Sequence, residues 1–206
     1  FLVAFGVLLS HLAPILIVPL FYHLEPLEDP ELVEGLERLA HRADTEIAGI
    51  YTIDLSSRTT AGNALIMGLG RTKRIALGDT LYERFAPTEI ETIIAHELGH
   101  QVHHDLELGI AVQSALLFAS LYLAHRTIPW AAARFGFEGI ADLAALPLFA
   151  LVAVLFSVVT LPLSNAYSRW RERLADRYAV QVTGADGAFV GAMQKLANQN
   201  LAEANP

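Results

Sequence analysis

Four of the eight histidines in this chain fall within "TEIETIIAHELGHQVHHD", Thr88 to Asp105. His96 and His100 stand four residues apart, so on a helix they share one face and can both coordinate a single zinc ion. Glu97 lies between them, where it can act as general base on a zinc-bound water whose pKa the metal lowers to about 7. The motif predicts one zinc ion per chain and peptide-bond hydrolysis. His104 shares the histidine face but lies two turns from His96, about 11 Å along the axis. That is too far for one tetrahedral ion, so His103 and His104 read as polar residues at a membrane surface.

A catalytic zinc needs a third protein ligand, and without cysteine it must be His, Asp or Glu. Asp105 and Glu107 follow on the same helix, beyond His104, and are not expected to fold back onto the metal. The remaining candidates depend on how the chain is laid out.

That layout is dominated by apolar residues, 53% of the 206, with only 17% charged. Three apolar blocks, 1–22, 108–124 and 143–163, approach the roughly 20 residues that cross a bilayer as a helix. The block 1–22 lacks the basic start and small-residue cleavage site of a signal peptide. Between the first two blocks, residues 23–107 read as an α+β region. "DPELVEGLERLAHRA" has Asp29 as N-cap and Pro30 at the first helical position. "EIAGIYTIDL" and "NALIMGLGRTKRIALGD" contain short strands. Thr88 and Glu91 form a capping box opening the zinc helix, 89–105, and no strong breaker interrupts the run from Glu89 to Leu123. Residues 125–142 form a short loop, and 164–206 a helical tail whose first helix stops near Gly184. The expected fold is mainly α and membranous, with about three transmembrane helices and a small α+β zinc-protease domain carrying a short sheet.

Three crossings put 23–107 and 164–206 on one side of the bilayer. Of fourteen Lys and Arg, only Arg126 and Arg134 fall in the opposite loop. The excess of positive charge therefore assigns the histidine side to the cytosol. Glu172, Asp176, Asp186 and Glu203 share that side. Glu172 follows Leu163 by nine residues and His100 precedes Leu108 by eight, so both rise to about the same height above the membrane on antiparallel helices. Glu172 is the expected third ligand, and Asp176, one turn later, the partner for a ligand histidine's outer nitrogen. The net charge of −8 excludes a nucleic-acid partner. The competing class is a non-catalytic zinc-binding membrane protein, a sensor or transporter, in which His103, His104 and His125 ligate and Glu97 is dispensable.

From Asn63 onward the sequence resembles the integral-membrane zinc proteases of the CAAX prenyl protease type 1 family and the related HtpX-like quality-control proteases. The resemblance rests on "NALIMGLGRTKRIALGDTL", "AHELGHQVHHD" and "NAYSRWRERLADRYA". It implies that His96, His100 and Glu172 bind zinc, that Glu97 is the base and that Asp176 supports the metal shell. Asn165 matches an Asn near the scissile peptide, and Asn63, Ala64, Leu65, Ile66 and Met67 match an edge strand to which an extended substrate adds. It further implies an integral membrane protein (inner or plasma membrane if bacterial), active on membrane-associated proteins or peptides. Full-length relatives are expected to carry further N-terminal membrane helices and, after the segment matched by "NLAEANP", a histidine that steadies the oxyanion.

Overall fold

A computed structural model describes residues 20–56, 62–68, 70–136 and 146–204. The chain divides into two compact units, Phe1–Asp105 with Glu172–Pro206, and Leu106–Arg171.

The first unit is built on a four-stranded sheet: β1 (Leu24–Pro26), β2 (Gly49–Ile53), β3 (Ala64–Met67) and β4 (Arg74–Gly78), ordered β1-β2-β4-β3. β2 and β4 are parallel, while β1 and β3 pair antiparallel on the two outer sides. Alternation along the strands separates two apolar faces. Ile50, Ala64, Ile75 and Leu77 join the main core, whereas Ile53, Met67 and Ala76 form a smaller cluster with Tyr22, Leu24 and Leu65. β4 is central and buried on both faces from Ile75 to Gly78, which explains its unbroken apolar run.

Helix α1 (Pro30–Arg42) begins as its sequence predicts. The Asp29 carboxylate accepts from the Glu31 and Leu32 N–H groups at 3.1 Å, and Pro30 occupies the first turn. Leu32, Leu36, Leu39 and Ala40 bury its apolar stripe. A short α2 (Asp79–Arg84) leads into α3 (Pro87–Val102), the helix of the histidine motif. Ile90, Ile93, Ile94, Ala95 and Leu98 fix α3 in the core, where it packs on α1, β3 and the last helix, α6 (Asp186–Ala204).

The start of α3 differs from the expected Thr88–Glu91 box. Pro87 takes the first helical position, for which its fixed φ is suited, and moves the N-cap back to Ala86. Glu89 then accepts from the Ala86 N–H at 2.9 Å and from Lys195 Nζ at 2.6 Å, tying α6 to this helix end. Burial pushes the Glu89 carboxyl up, but Lys195 and the Ala86 N–H outweigh it and hold it below its ordinary 4.5. A depressed carboxyl contributes stability above its unfolded value and loses it as pH falls through the lower folded value. Glu89→Gln should therefore lower stability at pH 7 by about 1 kcal/mol. It should also flatten the decline below pH 4.5, read from thermal midpoints across an acid series.

The larger departure is at the other end of α3. The run expected to continue to Leu123 stops at Val102, with His103 as C-cap and His104 in the left-handed region at φ +52°. Histidine enters that region more readily than most residues, so the helix ends without the usual glycine. A new helix, α4 (Asp105–Phe135), starts at once.

The second unit contains most of α4 and the first part of α5 (Leu146–Thr183). Residues 125–135, expected as loop, are helical. Ile128 and Ala131, one turn apart, are both buried, and the helix continues past its apolar block and through Pro129. The expected crossing 143–163 and the tail helix after it are likewise one helix, α5. It ends where expected, at Gly184 with φ +66°, whose N–H reaches Val180 O at 2.9 Å. Both α4, over Asp105–Ala131, and α5 are long and apolar enough to cross a membrane, and their most apolar stretches are unburied within the chain. The crossing expected over 1–22 lies outside the described residues except for its last three, of which Leu20 and Phe21 are helical.

Candidate metal centre

The centre lies within the first unit, where α3 meets the C-terminal part of α5. The two helices approach closely because Gly99 presents no side chain there: a Cβ at Gly99 would stand 3.0 Å from Ala175 Cα and 3.3 Å from its Cβ. Gly99 is one residue before His100, and Ala175 lies between Glu172 and Asp176. Small residues thus let two sets of polar side chains meet in front of a buried helix contact.

Three donors converge. His96 Nε2 and His100 Nε2 are 3.2 Å apart, and Glu172 Oε2 is 3.5 Å from the first and 3.9 Å from the second. A tetrahedral ion bound at about 2.0–2.1 Å holds its donors about 3.3 Å apart, so the spacing fits one such ion. Among the described residues these three are the group able to hold a metal.

The outer nitrogens support the same orientation. His100 Nδ1 pairs with Asp105 Oδ2 at 2.6 Å, and Asp176 Oδ1 lies 3.0 Å from His96 Nδ1. The second contact is close enough for an ion pair but poorly aligned, leaving His96 Nδ1 buried without a formed hydrogen bond. In both rings the δ nitrogen faces a carboxylate and the ε nitrogen faces the other donors, the arrangement that fixes metal-ligand histidines. Burial, reinforced by the charge of His100, pushes the His96 pKa down against the pull of Asp176 and Glu172, so the ring stays neutral and able to ligate.

Glu97 is half-buried on α3 between the two histidines and contributes no donor to the group. Burial raises its pKa; His100 opposes that and Glu172 adds to it. A carboxyl moved towards neutrality is suited to accept and return a proton.

The expected residues therefore separate. His96, His100, Glu172, Asp176 and Glu97 come together. Asn63 is exposed just before β3, and Ala64–Met67 are β3 itself, at the sheet edge among the described residues. Asn165 is exposed on α5 in the second unit. His103 and His104 stand outside the donor group, and the His103 ring meets Tyr178 edge-on at 6.1 Å. Asp105 stays out of the donor group, as expected, but the chain folds back so that its carboxylate meets the outer nitrogen of His100. Only the left-handed turn at His104 makes this possible, and the segment from His100 to Asp105, with no glycine in it, gives little sign of it.

The model of Peptidase family M48 matches residues 26–206. An uncharacterized metalloprotease of Bacillus subtilis, YhfN, is 35% identical over 99% of this chain and 49% of its own length. The probable CAAX prenyl protease 1 of Schizosaccharomyces pombe is 34% identical over 87% of this chain and 39% of its own length. The crystal structure of S. mikatae Ste24p superposes with a TM-score of 0.73 at 31% identity, covering 100% of this chain and 52% of that one. The chain spans about half the length, or less, of these relatives. With its donor group inside the matched region, the chain belongs to peptidase family M48.

Proposed function

We propose that this chain forms the catalytic part of a membrane-embedded zinc endopeptidase acting on membrane-associated proteins or peptides at the cytosolic face. The observation that carries this reading is the convergence of His96, His100 and Glu172 at tetrahedral spacing, with Glu97 set between the two histidines. Zinc, held by those three side chains, supplies Lewis acidity that makes water a nucleophile at neutral pH. The Glu97 carboxylate takes the proton that the attacking water loses and returns it to the leaving amide nitrogen as the peptide bond breaks. Asp105 holds the His100 imidazole in the tautomer whose ε nitrogen is free to bind, and the Asp176 carboxylate, 3.0 Å from His96 Nδ1, favours the same tautomer there.

β3 supports the substrate side of the proposal. Gly78 N donates to Asn63 O at 2.8 Å, and the antiparallel register pairs Ala64 with Leu77 and Ile66 with Ile75. By strand alternation, Asn63, Leu65 and Met67 direct their main-chain groups at β4, while Ala64 and Ile66 direct theirs outward. An extended peptide adding to this edge would bond to Ala64 and Ile66. Ile66→Pro removes one outward N–H without cutting the β4 ladder, and should lower cleavage about tenfold with zinc content unchanged. Leu65→Pro removes an inward N–H and should destabilise the fold itself.

The membrane assignment follows from α4 and α5, and the cytosolic assignment from the twelve of fourteen basic residues outside 125–142. CAAX-type processing and membrane-protein quality control share this chemistry. Chelation should abolish peptide cleavage by the purified protein in detergent, and one equivalent of zinc should restore it. Cleavage that persists without metal would refute the proposal.

A further inference from the structure

The break between α3 and α4 has no explanation in the ordinary helix-stopping residues. No glycine or proline stands between His100 and Asp105, yet the chain leaves the helix at His103 and turns through a left-handed His104. Such a conformation at a residue bearing a Cβ costs about 1–2 kcal/mol. The turn has one immediate result. On a continuous helix Asp105, five residues after His100, would point about 140° away from it. The turn instead carries Asp105 back, so that its Oδ2 lies 2.6 Å from His100 Nδ1, with its side chain 15% exposed.

We infer that Asp105 is a positioning residue for His100, and that the left-handed turn at His103–His104 exists to deliver it. This inference rests on the metal-centre reading proposed above and extends it to an asymmetric outer shell. His96 takes its carboxylate from the facing helix, through Asp176 on α5. His100 takes its own from the chain immediately after it, through Asp105. His96 orientation thus depends on how α3 and the C-terminal part of α5 dock. His100 orientation depends on a local turn and survives small changes in that docking.

Asp105 is also the first residue of α4, so a role confined to starting that helix is the competing explanation. At this first helical position asparagine gives up only the small interaction of a charge with the helix dipole, but it cannot offer a charged carboxylate to an imidazole N–H. Asp105→Asn therefore separates the two roles. In the detergent-solubilised protein, zinc affinity is measured by competition with a chelator. The visible absorption of the cobalt-loaded protein reports ligand geometry, and the metal-free melting temperature reports folding.

Asp105→Asn should weaken zinc binding about tenfold and Asp105→Ala up to about 100-fold, the range for loss of an outer partner of a ligand histidine. The cobalt bands should shift in both variants, and Asp105→Asn should melt like the wild type without metal. His104→Gly, which takes the left-handed conformation without strain, should keep wild-type affinity and cobalt bands. The inference is overturned if Asp105→Asn matches the wild type in affinity and bands. It is overturned equally if its metal-free melting point falls with unaltered bands, which would mark a helix-start role. A His104→Gly variant as weak as Asp105→Ala would assign the effect to the His104 ring and overturn it too. A wild-type protein that takes up no zinc refutes the metal centre itself, a result distinct from all of these.

Discussion

Glu97→Gln is expected to reduce peptide cleavage by about 10²- to 10⁴-fold, the usual worth of a positioned general base, while zinc content stays at one per chain. The side chain stands between two ligand-bearing positions but adds no donor to the metal group. Its loss therefore removes proton transfer and leaves the His96, His100 and Glu172 donors in place. Burial raises the Glu97 pKa, the direction that makes a carboxylate a better proton acceptor near neutral pH. The measurement is turnover of a quenched peptide beside zinc analysis of the same sample. A Gln variant that cleaves at the wild-type rate would sink the base assignment and favour a zinc-binding protein without catalysis.

Glu172→Ala should have the larger effect on the metal itself. It deletes one of three protein donors, so the loss of affinity should exceed the roughly 10- to 100-fold typical of outer-shell changes. Glu172 is more than half exposed, with 56% of its side chain accessible, so truncation leaves no buried cavity and the fold should hold. His104→Gly is the matched control, since that ring lies outside the donor group despite belonging to the same histidine run. If Glu172→Ala keeps its zinc while His104→Gly loses it, the ligand set is wrong.

Much of this site is legible along the chain because helical periodicity is a local property. The i, i+4 spacing of His96 and His100, the Asp29–Pro30 start of α1 and the glycine after α5 all depend on near neighbours only. Matching heights above the apolar blocks also brought Glu172 to the histidines, an argument that needs only helix rise and an antiparallel pair of helices. Three other features were not legible. The start of α3 moved to Pro87 through competition between two local signals. The helical stretch 125–135 carries a buried Ile128 and Ala131, a burial that no local polarity pattern reveals. The end of α3 depends on a histidine accepting a left-handed conformation, which its neighbours in sequence do not announce.

What the sequence by itself determined is the chemistry available: two imidazoles on one helix face, a carboxylate between them, and no thiol. How the carboxylates reach the histidines was decided by the tertiary structure. Glu172 and Asp176 arrive because Gly99 and Ala175 allow two helices to touch, and Asp105 because a turn reverses the chain onto His100. Contacts of that kind depend on packing between distant segments and on single backbone angles. Residue type and spacing encode neither, so the Asp105 contact becomes visible only once the chain is folded.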